Sequence, residues 1–161
     1  MTVRVYVPTT ITGLRELVRS DGVGPAPFLA HAVTDAVRGE LAEAGEEDCE
    51  YAASSAAALA SVGLLGEGEP SRRVVLAVDV PGFRRLDVED PTTVEVEAVV
   101  PFRWVAAVLA DSADAEDTVA AAQRAEAAGS PEAPELLERC LDHELGWWAT
   151  QEISELLGIR P

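Results

Sequence analysis

"RRVVLAVDV", residues 72–80, is the clearest strand in the sequence, and its two sides decide the fold. Two arginines lead into a β-branched, apolar run broken only by Asp79, and "PG" ends it. Upstream, "EEDCEYAASSAAALASVGLL" (46–65) opens with carboxylates that suit the positive end of a helix dipole. Its alanines and leucines then favour helix to about Leu65, and "GEGEPS" is the loop into the strand.

Further back, "PFLAHAVT" (27–34) reads as a second, more continuously apolar and so more central strand. Thr34 is placed to cap a helix that starts with Asp35 and runs to about Ala44, with Gly45 as its C-cap. At the N-terminus Val3, Val5 and Val7 alternate with Arg4 and Tyr6, the period of a half-buried strand, and Pro8 ends it. Thr10 or Thr12 caps a short helix with its stripe on Leu14, Leu17 and Val18, stopped by Gly22.

Downstream, "PGFRRLDVEDP" is a long connection. "TTVEVEAVV" alternates, with Glu95 and Glu97 on one face and Val94, Val96 and Ala98 on the other. After a "PFRW" turn, "VAAVLAD" (105–111) is a fifth strand, and "SADAEDTVAAAQRAEAAG" is a helix capped by Asp111 or Ser112. "ELLERCLDH" and "ELGWWATQEISELL" read as two closing helices. The order β-α-β-α-α-β-β-β-α-α implies crossovers. It predicts one α/β domain over 1–161, with a mixed, partly parallel sheet of about five strands covered by helices.

With 161 residues the chain is long enough to bury a core without staples. Its formal net charge of −17 opposes binding to nucleic-acid phosphates or anionic lipid. All twelve basic residues are arginines. Cys49 and Cys140 lack metal-type spacing and read as reduced, partly buried thiols. "MTVRVYVPTT" does not read as a secretory signal, and the uncharged run 52–66 is too short and too polar to span a bilayer. A cytoplasmic location with no membrane and no nucleic-acid partner is the expectation.

The densest chemistry is "DHELGWWATQEI" (142–153). On a helical wheel Leu141, Leu145, Trp148, Ala149, Ile153 and Leu156 share a broad apolar face. His143, Trp147, Thr150 and Ser154 fall opposite, with His143 and Trp147 one turn apart. An indole on a polar face needs a cover, so His143, Glu144, Trp147 and Gln151 are candidates for a binding surface, for a protein partner or a second copy. Glu152, near the middle of the apolar face, is the candidate perturbed acid; the bland alternative is an ion pair with Arg4 or Arg73. "HELGW" is not a zinc helix, because tryptophan stands where a second histidine is required, and His31 is the only other histidine.

Asp79 and Asp111 each close a strand. In parallel strands their carboxylates would share one sheet edge, where Asp114 could join them around Mg²⁺; turn and cap chemistry is the ordinary reading. Arg72, Arg73, Arg84 and Arg85 flank one strand, whereas residues 39–71 hold eight acids and no arginine. Those arginines either neutralise the acidic helices or hold an anion. The chain has no phosphate-binding glycine loop, nucleophile elbow or triad-like grouping, and no cofactor is expected.

Taken together, "VRVYVPTT", "AHAVT", "EEDCEYAA", "RRVVLAVDVP" and "DHELGWWATQEI" resemble a family of short, uncharacterised actinobacterial proteins, over nearly the whole chain. The resemblance implies one intact domain and carries no activity, ligand or partner. The preferred functional expectation is a small binding protein that uses its terminal helix and is able to self-associate. The competing one is an enzyme or small-ligand binder with an acidic, Mg²⁺-dependent site at the carboxyl ends of the strands.

Overall fold

The computed structural model describes residues 1–159. In chain order the elements are β1 (Val3–Thr9), α1 (Ile11–Ser20), β2 (Gly22–Val23), β3 (Phe28–Ala32), α2 (Asp35–Glu40) and α3 (Glu46–Leu64). Then follow β4 (Val74–Val80), β5 (Arg84–Arg85), β6 (Thr93–Val96), β7 (Val100–Pro101) and β8 (Val105–Ala110). The chain closes with α4 (Glu116–Ala127), α5 (Ala133–Cys140), β9 (Gly146–Ala149) and α6 (Ile153–Leu156).

Seven strands form one sheet in the order β5-β6-β3-β1-β4-β8-β9, and every neighbouring pair is antiparallel. β2 and β7 make a separate two-stranded ribbon. The mixed α/β character holds; the partly parallel, five-stranded sheet does not. Helical crossovers set the direction of these strands but not their adjacency. β3 and β4, joined through α2 and α3, do point the same way, because each is antiparallel to β1. But β1 lies between them, and a right-handed crossover fixes only relative direction, not what occupies the gap.

One face of the sheet buries Val5, Val7, Leu76, Val78 and Val108 against Ile11, Leu14 and Leu17 of α1 and against Ile153 and Leu157. The other face buries Tyr6, Val75, Ala77 and Ala107 under Ala53, Ala57 and Ala58 of α3. Small side chains on both sides let α3 lie close to the sheet. Its far end packs through Val62 and Leu65 on Val119, Ala122 and Cys140 of α4 and α5. Ser61, fully buried, joins α3 to two strands: its hydroxyl donates to the Thr9 carbonyl (2.6 Å) and accepts from the Val74 N–H (3.1 Å).

The first two helices are capped by side chains, whereas Ser112, expected to cap α4, makes no side-chain cap hydrogen bond. Thr10 accepts from the Gly13 N–H at the start of α1, and Thr34 accepts from the Val37 N–H at the start of α2. Gly45, expected to end α2, instead stands before α3, where its N–H donates to the Asp48 carboxylate.

The largest departure is at the C-terminus. Residues 141–157 are not a helix: α5 ends at Cys140, a turn carries 141–145, β9 follows, and α6 is only four residues long. Gly146 disfavours helix, and two adjacent indoles suit a pleated surface better than a helical one. The wheel misled because turning Trp147 and Trp148 to opposite sides is also what strand alternation does.

Candidate functional site

The region before β9 is held from below by a buried ion pair. Arg73 and Asp111 are 1% and 2% exposed. The Arg73 backbone N–H and Nε both donate to Asp111 Oδ2 (2.8 Å each), and its terminal guanidinium nitrogen donates to Oδ1 (2.7 Å). The same nitrogen donates to the His143 carbonyl (2.8 Å). Thus one pair ties the start of β4, the end of β8 and the turn into β9. Both Asp111 oxygens are spent, so Asp111 is a structural anchor.

β9 pairs with β8 so that Trp148 faces Val108 and Trp147 faces Leu109. Alternation sends Trp148 to the side of Val5 and Leu14, where it packs on the core, and Trp147 to the α3 side, where it is 65% exposed. The Ala149 N–H donates to the Glu152 carboxylate (2.8 Å), so it points away from β8. Two residues back, the Trp147 backbone points the same way, because N–H directions alternate along a strand. β9 ends the sheet order, so its outer edge has no strand partner among the described residues.

Between β8–β9 and α3 runs a surface groove. Tyr51, Ser54 and Leu109 line its middle. His143, Glu144 and Leu145 line one end, and Trp147, Tyr6, Glu47 and Glu50 the other. Tyr51 is itself 61% exposed. On the groove's outer floor Arg4 is engaged by Asp79 through two hydrogen bonds of 2.7 and 3.2 Å. Burial first, and then the Glu50 carboxylate, push the Tyr6 phenol above its ordinary pKa, against the opposing effect of Arg4.

The groove therefore brings together His143, Glu144 and Trp147, though not as a helix face. His143 is half-buried, with Nε2 3.2 Å from the Thr118 hydroxyl of α4. Gln151 lies outside the groove, exposed in the one-turn helix Thr150–Glu152. Glu152 is exposed as well, and its carboxylate serves the Ala149 N–H, so the apolar setting expected of it is absent.

The other candidates disperse. Because β4 and β8 are antiparallel, Asp79 and Asp111 sit at opposite ends of the sheet. Asp79 pairs with Arg4, Asp111 with Arg73, and Asp114 is exposed. No group of three or more His, Cys, Asp or Glu side chains is placed to hold a metal among the described residues.

The arginines do not converge either. Arg72 pairs with Glu116 (2.9 Å) and Arg84 with Glu95 on the adjacent strand (2.7 Å), while Arg85, beside Arg84 on β5, is exposed. Arg72, Arg73 and Arg84 are neutralised, but by acids outside 39–71. Cys49 and Cys140 are buried free thiols, and burial pushes the Cys140 thiol up.

His31, in the apolar strand β3, is 7% exposed. Its Nδ1 lies 2.8 Å from Thr92 Oγ1, whose hydroxyl donates to Asp90 Oδ1 (2.7 Å). Burial pushes the imidazole below its ordinary pKa, against the attraction of Asp90, 3.8 Å away. A lone polar residue inside "PFLAHAV" was the available signal; its partners, about sixty residues away, were not.

No helix is long and apolar enough to cross a membrane among the described residues. Architecture and groove describe an antiparallel α/β protein with an open, aromatic sheet edge. The chain belongs to a family of unknown function, DUF6912, whose model matches residues 3–157. No curated protein and no solved structure matches it.

Proposed function

We propose that this is a binding protein, a single domain of the cytoplasm, whose β9 edge receives an extended, positively charged segment of a partner protein. The observation that carries the reading is Trp147: a largely exposed indole on an unpaired edge strand. Edge strands that face solvent are ordinarily blunted by charge or proline, and "GWWA" has neither. An incoming strand would find the outward backbone groups of Trp147 and an apolar floor of Leu109 and Tyr51. Glu47, Glu50 and Glu144 rim that floor and favour arginine or lysine on the partner. A second copy is the poorer occupant, since it would bring two sets of those carboxylates together on chains of −17 each.

The test is a titration with a peptide that alternates arginine and valine, beside one that alternates glutamate and valine, followed by tryptophan emission. Saturable, salt-sensitive binding of the basic peptide alone, lost in Trp147→Ala, is the expected outcome. Equal binding of both peptides, or none, removes the reading. A dimer in light scattering that Trp147→Ala dissolves would put a second copy in the partner's place.

A further inference from the structure

A different part of the sheet is open in another way. β1 and β4 are paired at seven successive positions, but β1 and β3 only at Val5–Ala32 and Tyr6–His31. The next positions in that register would set Val7 against Ala30 and Pro8 against Leu29. There the ladder stops, and Pro8 has no N–H to give it. The strands part, and the space between them is a cleft of about 660 Å³. α1 bounds it on one side, with Leu17 and Glu16, and the end of α3 on the other, with Leu64. Gly13 is part of this wall, because a Cβ there would collide with the Thr9 hydroxyl. Leu29 and Leu64 stand exposed at the cleft. The volume falls within the ordinary range of small-molecule pockets, and the walls are mostly apolar.

His31 lines the same cleft, and its hydrogen bonds fix which nitrogen is open. A carboxylate only accepts, so the Thr92 hydroxyl proton belongs to Asp90. Thr92 Oγ1 is then the acceptor for His31, and the proton of the neutral ring sits on Nδ1. Nε2 carries a bare lone pair. No buried side-chain nitrogen or oxygen lacks a partner among the described residues. Nε2, with no partner there, is therefore reached by solvent.

We propose that the cleft between β1 and β3 binds a small, uncharged, apolar molecule bearing one hydroxyl, an alcohol or phenol, which donates to Nε2 of His31. The acceptor selects a donor. The Glu16 carboxylate and the acidic chain disfavour an anion, and the apolar walls disfavour any full charge that must leave water.

The probes are 4-propylphenol and its methyl ether, titrated calorimetrically into the full chain. The phenol binds saturably, and the ether, with no O–H to donate, about tenfold more weakly. His31→Leu removes the difference between the two. Leu29→Arg with Leu64→Arg, two exposed positions that leave the core untouched, weakens the phenol at least tenfold. The imidazole ¹⁵N spectrum of the free protein shows Nε2 unprotonated. Absent phenol binding, equal affinity for phenol and ether, full affinity in the double arginine variant, or a proton on Nε2 would each overturn the proposal.

Discussion

The two openings in this sheet differ in kind. At β9 the backbone is regular and the opening is an edge: β9 pairs with β8 on one side and, among the described residues, with no strand on the other. Between β1 and β3 the opening is internal, a place where pairing begins and fails after two positions. The edge presents an indole and a tyrosine rimmed by carboxylates, which suits an extended and basic chain. The gap presents leucines around one neutral histidine, which suits a compact and uncharged molecule. A sheet opens to a chain by ending and to a small molecule by splitting.

The contrast is broken most severely by Asp111→Ala. It leaves Arg73 buried without its partner, and such a loss costs about 3–5 kcal/mol in urea unfolding. Because Arg73 also holds the His143 carbonyl, the variant should loosen the β9 edge before the histidine gap, which amide exchange of the two regions would show. Replacing Arg73 and Asp111 together by methionine and leucine should recover most of the loss.

Next in size is Trp148→Ala, expected to cost about 2–4 kcal/mol because the inward indole packs on the core. Its neighbour gives the sharpest comparison. Trp147→Ala should move the melting midpoint little, with a stability change within about 0.5 kcal/mol, because its indole is largely solvated.

For the gap, the expected signature is a pH dependence. The folded state holds the His31 pKa below its unfolded value. Above about pH 6.5 the ring is neutral in both states and the full stability is present. As the pH falls through that value the unfolded chain takes the proton first, and stability declines until the folded ring is protonated too. Stability measured from pH 7.5 to 5 should therefore fall more steeply in the wild type than in His31→Gln; identical slopes would contradict the buried, neutral ring. Smallest of all, Arg4→Gln should cost under about 1 kcal/mol, since its ion pair with Asp79 is about two-fifths exposed on each side.

Local signals carried much of this fold. The four principal strands and the long helix α3 follow from alternation, apolar runs and alanine content, and Thr10 and Thr34 cap the helices they precede. Strand order was not legible, because no residue of β1 records that it lies between β3 and β4. Nor was the antiparallel pairing of β4 with β8, which sets Asp79 and Asp111 at opposite ends of the sheet.

The C-terminal stretch failed for a different reason. Over "LGWWAT" the helical and the strand period make the same statement about the two indoles, so the sidedness survived while the element did not. His143, Glu144 and Trp147 reached one groove by way of a turn and a strand. The relay at His31 was out of reach because Thr92 and Asp90 are supplied by a distant loop.

Amide exchange at residues 144–150, read by NMR in the free monomer and with the basic peptide, tests the edge most directly. The Trp148 amide should be protected throughout, and the Trp147 amide should exchange freely until the peptide is added. A continuous run of protected amides, as in a helix, or a Trp147 amide already protected in the free monomer, would mean that there is no open edge to bind.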